Sequence, residues 1–107
     1  MEIYNLIKMG LDASTLRANA ISQNIANINT PGYKRKYVTF EETLKKTSKS
    51  EPKITLEEST ESSLRTDGNN VDLEVEKVNQ ASNSLQYNAL ITVMNAKLAM
   101  AKNVING

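Results

Sequence analysis

The sequence predicts an all-α protein, with two long helices packed side by side as a coiled-coil-like hairpin. A charged, mostly irregular loop containing one short helix joins them. Three observations predict this. Apolar residues recur on average every 3.5 positions over residues 3–28, a second such pattern runs over 71–105, and the stretch between is charged and poor in apolar side chains. At 107 residues the chain is expected to form one domain, 1–107. Aromatic residues make up only 5% of it, four Tyr and one Phe with no Trp, a thin supply for a self-sufficient core.

In the first helix, Tyr4, Ile7, Leu11, Ser14, Ala18, Ile21, Ile25 and Ile28 follow alternating gaps of 3 and 4. That is the period of a coiled-coil seam. Ser14 and Ala18 are small enough for a neighbouring helix to come close. The rod would be about 39 Å long at 1.5 Å per residue. Gly10 is its weak point, costing about 1 kcal/mol relative to Ala. The helix must stop near Asn29, because Pro31 disfavours the α conformation at Thr30. Pro31-Gly32 suits the centre of a type II turn, Gly32 taking positive φ.

Tyr33, Tyr37, Val38 and Phe40 are spaced as a short extended segment. Thr39-Phe40-Glu41-Glu42 matches a capping box and opens a short helix through Leu44. Residues 47–63 are rich in Ser, Thr, Glu and Lys and read as a mobile loop, with a brief strand at 53–56. The turn cluster Asp67-Gly68-Asn69-Asn70 follows, and Asp72 is placed to N-cap the last helix. Glu74 and Glu76 then put negative charge at its positive end.

The last helix carries apolar residues over a wide arc. Val71, Val75, Val78, Ser82, Leu85 and Ala89 form one line. Further on, Tyr87, Ile91, Met94, Leu98, Ala101 and Ile105 form a second, with Leu90, Val93, Met100 and Val104 beside it. So wide an arc needs more than one neighbour, and the chain offers only one other long helix. The line through Leu98 is expected to pack on the first helix, and that through Val93 on neighbouring subunits. The Asn content is also high: 13 in all, with Asn19, Asn24, Asn27, Asn79, Asn83, Asn88, Asn95 and Asn103 among those within the helical patterns. Amides there are either compositional drift or hydrogen-bonding groups that fix the register of packed helices.

Composition excludes much chemistry. With no His and no Cys, imidazole and thiolate metal sites and His-assisted nucleophilic catalysis are absent. Glu41/Glu42 and Glu57/Glu58 are adjacent in sequence rather than opposed across a cleft, which suits a solvated face better than acid–base work. Counting from Asp67, the sixth and twelfth positions are Asp72 and Val78, where a calcium loop needs Gly and Glu. The four Gly are scattered singly, so no phosphate-cradling loop exists. No cofactor or small-molecule substrate is expected. Lys34-Arg35-Lys36 lies between two Tyr, but Glu41 and Glu42 follow and the net charge is only +1, which argues against nucleic-acid binding. The first ten residues lack a basic leader, so no cleaved signal peptide is expected. The 17-residue stretch Ala89–Ile105 is broken by Lys97 and Lys102 and is no membrane span.

The run Leu11–Tyr33, LDASTLRANAISQNIANINTPGY, resembles the N-terminal motif of flagellar rod and hook proteins. Its hallmarks are Asn24-Ile25-Ala26-Asn27 and Thr30-Pro31-Gly32-Tyr33. A second stretch, Asp67-Gly68-Asn69-Asn70-Val71-Asp72-Leu73-Glu74 followed by Leu85-Gln86-Tyr87-Asn88-Ala89-Leu90, is similar to the proximal members of the flagellar basal-body rod family. The resemblance implies a structural, non-enzymatic subunit of the rod, the torque-transmitting shaft that crosses the periplasmic space. It further implies export through the flagellar type III apparatus, and as partners other rod proteins, copies of itself and the adaptor between basal-body ring and rod. The expected assembly residues are Ile7, Leu11, Ile21, Ile25 and Ile28 of the first seam and Asn24, Asn27, Thr30, Pro31, Gly32 and Tyr33 of the motif. Leu90, Val93, Leu98, Met100 and Val104 of the last helix complete the set. The alternatives are a stand-alone helical-hairpin adaptor or regulator binding one protein partner, and a nucleic-acid binder using the basic triplet.

Overall fold

The computed structural model describes residues 3–40 and 53–106. Its elements are α1 (Ile3–Ala26), β1 (Lys36–Thr39), β2 (Thr55–Glu58) and α2 (Leu73–Asn106). The molecule is a slab of 64 × 29 × 14 Å, long because α2 alone has 34 residues. Both long helices form where the periodicity places them, α1 ending two residues sooner than expected and α2 starting two later. Among the described residues no helix is long and apolar enough to cross a membrane.

The chain is helix-dominated but not all-α. β1 and β2 pair antiparallel, with Tyr37 opposite Glu57 and Val38 opposite Leu56. The reason lies on α1, which has a second apolar stripe. Leu6, Met9, Ala13, Leu16 and Ala20 also follow gaps of 3 and 4, and Val38 and Phe40 cover them, with Ile54 alongside. One helix cannot cover two stripes on α1, so the extended segment does. Thr39, expected to cap a short helix, instead ends β1 with its hydroxyl 2.8 Å from that of Thr55. The short helix itself falls on residues outside those described.

The expected strand at 53–56 is found two residues later, at 55–58. The segment after it, read as mobile, is pinned. Ser59 N–H donates to the Arg35 carbonyl at 2.8 Å, and Asn70 Nδ2 donates to Ser59 Oγ and the Glu61 carbonyl, both at 3.2 Å.

α1 and α2 pack antiparallel. Tyr4 Oη donates to the Lys97 carbonyl at 3.2 Å, and Asn83 Nδ2 donates to the Ser14 carbonyl at 2.9 Å. Between these ties Leu90 lies against Gly10, where a Cβ would stand 3.1 Å from Leu90 Cδ1. Asn83 is thus a register-fixing amide. Asn24 serves β1 instead, and Asn19, Asn88, Asn95 and Asn103 are exposed.

Candidate assembly surfaces

The two sequence motifs meet at one end of the slab and fold as a unit. Tyr33 N–H donates to the Thr30 carbonyl at 3.2 Å, closing the turn, and Gly32 has φ +74° as a type II turn requires. Gly32 N–H donates to the Asp67 carbonyl at 2.7 Å, which joins this turn to the second one, where Gly68 has φ +80°. Asn69 is fully buried between them. Its Nδ2 donates to the carbonyls of Asn27 at 2.9 Å, Ile28 at 3.2 Å and Thr30 at 2.8 Å. Those carbonyls belong to the turns just past the end of α1, so Asn69 ties the chain leaving α1 from 39 to 42 residues away. The Arg65 guanidinium also donates to the Ile28 carbonyl. Asp72 caps α2 as expected, its Oδ1 accepting from Glu74 N–H at 3.0 Å.

The basic triplet is occupied inside this junction. Lys34 Nζ donates to the Gly68 carbonyl. Arg35 Nε pairs with Glu76 Oε1 at 2.9 Å, its guanidinium lying 5.7 Å from the centre of the Tyr37 ring. Lys36 Nζ reaches Gln23 Oε1 at 3.5 Å. Glu76 is wholly buried, and its Oε2 has no hydrogen-bond partner among the described residues. Burial raises the pKa of Tyr33 above its ordinary value, and the negative charges of Glu58 and Glu76 add to that.

The expected assembly residues divide sharply. Ile7, Ile21 and Asn24 are buried within the chain, and Leu11, Ile25, Asn27, Ile28 and Tyr33 are half-buried. Thr30, Pro31 and Gly32 form an exposed corner. On α2, Val93, Leu98, Met100 and Val104 are exposed, while Leu90 packs beneath Gly10. Leu90 and Leu98 therefore exchange the places expected for them. The face of α2 turned inward runs through Glu76, Asn79, Asn83, Leu90, Met94, Lys97 and Ala101, taking Met94 and Ala101 from the second apolar line and Leu90 from the line beside it. Along residues 76–86 it is polar.

Beside the inward face α2 exposes an apolar strip. At about 100° per residue, Val75, Val78, Leu85, Val93, Met100 and Val104 fall within one third of the helix circumference. All six are exposed. Leu64, Asn69, Val78 and Leu85 were not singled out as assembly or junction residues. Val78 and Leu85 were visible as a line at 3.5-residue spacing, whereas nothing local marks Leu64 or Asn69. A long helix with a bare apolar strip can do little chemistry, but it can bind another helix.

The family model described as flagella basal body rod protein matches residues 9–34, the segment from the Gly10 crossing to the type II turn. The flagellar basal body rod protein FlgB of Bacillus subtilis is 31% identical, over 98% of this chain and 93% of its own. FlgB of Salmonella typhimurium is 28% identical, over 91% of this chain and 88% of its own. A shorter similarity, 46% identity over 37 residues, links the chain to the flagellar basal-body rod protein FlgG of Buchnera aphidicola. Matched to FlgB along nearly its whole length, this chain belongs to the FlgB family of flagellar basal body rod proteins, structural components of the rod and not enzymes.

Proposed function

We propose that the chain builds the proximal part of the rod, in the periplasmic space, and contacts copies of itself as well as other rod proteins. It reaches that place through the flagellar type III export apparatus, and there it abuts the adaptor between ring and rod. Two surfaces make the assembly contacts. One is the outward seam of α2 through Val78, Leu85, Val93 and Met100; the other is the corner at Thr30, Pro31 and Gly32. The observation that carries this reading is the seam itself, apolar, repeating every two helical turns and uncovered in the single chain. Membership of a rod family supplies helices of the same kind to cover it.

The reading is tested in a bacterium whose own copy of the gene is replaced by a Leu85→Lys version. Leu85 is exposed, so the chain should fold and reach normal levels while basal bodies lack a complete rod and cells do not swim. Normal rods and swimming would overturn the seam assignment. Retention of unaltered chain in the periplasm of a strain without the type III apparatus would overturn the proposed route.

A further inference from the structure

The second turn carries the one Asp-Gly step of the chain, Asp67-Gly68. Such a step rearranges by itself in water, because Gly has no Cβ to keep its nitrogen from the aspartate side chain. The Gly68 nitrogen attacks Asp67 Cγ, and a C–N bond forms as a C–O bond breaks. The departing oxygen leaves as water, taking the N–H proton and one proton from solvent, and a five-membered succinimide remains. Water then opens the ring. Addition at Cγ restores Asp67, whereas addition at the main-chain carbonyl carbon leaves an isoaspartyl linkage that runs through Cγ. One water leaves and one enters, with no oxidation and no change of mass.

In the folded chain each group that this rearrangement needs is held elsewhere. Asp67 Oδ2 accepts from Arg65 Nη2 at 2.9 Å, and Oδ1 accepts from Asn69 N–H at 3.0 Å. Gly68 N–H donates to the Arg65 carbonyl at 3.2 Å, which closes a turn with Asp67 as its third residue. The Asp67 carbonyl accepts from Gly32 N–H at 2.7 Å, and the Gly68 carbonyl accepts from Lys34 Nζ. Swinging the carboxyl onto the Gly68 nitrogen breaks the first three bonds together. Closing the ring then twists the main chain of Asp67 out of its turn and away from Gly32. We propose that Asp67-Gly68 is a site of isoaspartate formation that the closed junction of the two turns shuts off. The chain converts there only before the junction forms or after it opens. An isoaspartyl linkage adds one carbon to the main chain and turns the carbonyl that receives Gly32 N–H into a carboxylate. On that longer chain Asn69 no longer sits where it reaches the carbonyls of Asn27, Ile28 and Thr30. A chain converted while open therefore fails to close.

The test needs only the full chain, folded and denatured, and one variant. After incubation at neutral pH, electron-transfer fragmentation of a proteolytic digest counts isoaspartate at position 67. Conversion should be roughly tenfold or more slower in the folded chain than in concentrated guanidinium chloride, since it follows the fraction of chains that are open. It should climb as denaturant is added, with or ahead of the unfolding transition seen by circular dichroism. Asn69→Ala unties the junction but keeps the N–H that holds Asp67 Oδ1. Without denaturant it should convert roughly tenfold faster than the unaltered chain, and in concentrated guanidinium chloride at the same rate. Chains converted in denaturant, refolded and separated by chromatography should melt at a lower temperature than the unconverted fraction. They should also stay reactive toward protein-isoaspartate methyltransferase. Equal conversion with and without denaturant, or no acceleration by Asn69→Ala, would overturn protection by the junction. Equal melting of the two fractions would overturn the block on closing.

Discussion

The side chain of Asn24 pairs with the backbone of Lys36 as a neighbouring strand would. Its Nδ2 donates to the Lys36 carbonyl at 2.8 Å, and its Oδ1 accepts from Lys36 N–H at 2.8 Å. One helical turn-pair away, Arg17 Nη2 donates to the Val38 carbonyl at 3.3 Å. The edge of β1 that faces α1 is therefore satisfied by side chains from a helix, and a two-stranded sheet, marginal by itself, becomes fixed. Tyr33 Oη also donates to Asn24 Oδ1, at 3.1 Å, so one buried amide ties the helix, the turn and the strand.

Asn24→Ala should lower the stability of the chain by about 2–3 kcal/mol, because two buried main-chain groups lose their partner. Asn24→Asp should do at least as much at pH 7, since a carboxylate would face the Lys36 carbonyl at a position with no exposure. Protonating that carboxyl restores a donor, so the Asp variant should recover as pH falls while the Ala variant does not. Chemical denaturation at pH 7 and pH 4 checks both.

Arg35→Met should be more damaging than the same change paired with Glu76→Leu. Alone it leaves the fully buried Glu76 carboxylate without its cation, a loss of about 3 kcal/mol, at the low end for buried pairs because Arg35 is 23% exposed. The double variant replaces the pair with apolar groups and should recover most of that loss. Equal destabilisation by the single and double variants would show that the ion pair matters little.

Gly10→Ala is predicted to be neutral or stabilising by up to about 1 kcal/mol, the helix-propensity gain. The added Cβ would meet Leu90 Cδ1 at 3.1 Å, the flexible end of a half-buried side chain that can give by a few tenths of an ångström. Gly10→Leu has no such escape and should part the helices, lowering the melting temperature. Gly10 therefore makes room for Leu90 between the two helices.

The features legible in the sequence are those governed by neighbours in the chain. The Pro31-Gly32 turn, the Asp72 cap and the extent of both helices depend on local backbone preferences, and each is found close to its expected place. The hairpin was half legible. β1 reads as extended, and the second stripe of α1 at Leu6, Met9, Ala13, Leu16 and Ala20 could have been counted as the surface it covers. The first part of the inward face of α2 is not legible, because apolar spacing points away from it there. Glu76, Asn79 and Asn83 turn inward because distant groups, Arg35 and the Ser14 carbonyl, await two of them. A polar residue in the core announces itself only through its partner. For the same reason Asn69 reads as a residue of its own turn, although it also holds the Thr30 turn 39 positions earlier.

Tyr33 gives the alkaline limit of the turn junction. Its folded-state pKa is raised above its ordinary value by burial first, then by the charges of Glu58 and Glu76. The unfolded chain therefore releases this proton more readily. Stability from the neutral phenol is complete below pH 10 and falls as pH rises through the raised value. In an absorbance titration of phenolate, Tyr33→Phe should remove a late-ionising component, and its stability should decline less above pH 10 than that of the unaltered chain.

The two sides of α2 should separate folding from assembly. Leu90 touches α1 at Gly10, and a Lys there would place a charge in the helix contact, costing about 1–2 kcal/mol for a half-buried site. Leu85 and Leu98 are 72% and 53% exposed and do not face α1, so a Lys at either should change the melting temperature of the single chain little. Between those two, Leu85 belongs to the outward seam and Leu98 to the opposite flank of the inward face. Circular dichroism should therefore show a lowered melting temperature for Leu90→Lys alone. Sedimentation should show weakened self-association for Leu85→Lys at unchanged monomer stability. If Leu98→Lys destabilises the monomer as much as Leu90→Lys, the inward face of α2 is centred on the second apolar line after all. If Leu85→Lys associates normally, the outward seam is not what joins one subunit to the next.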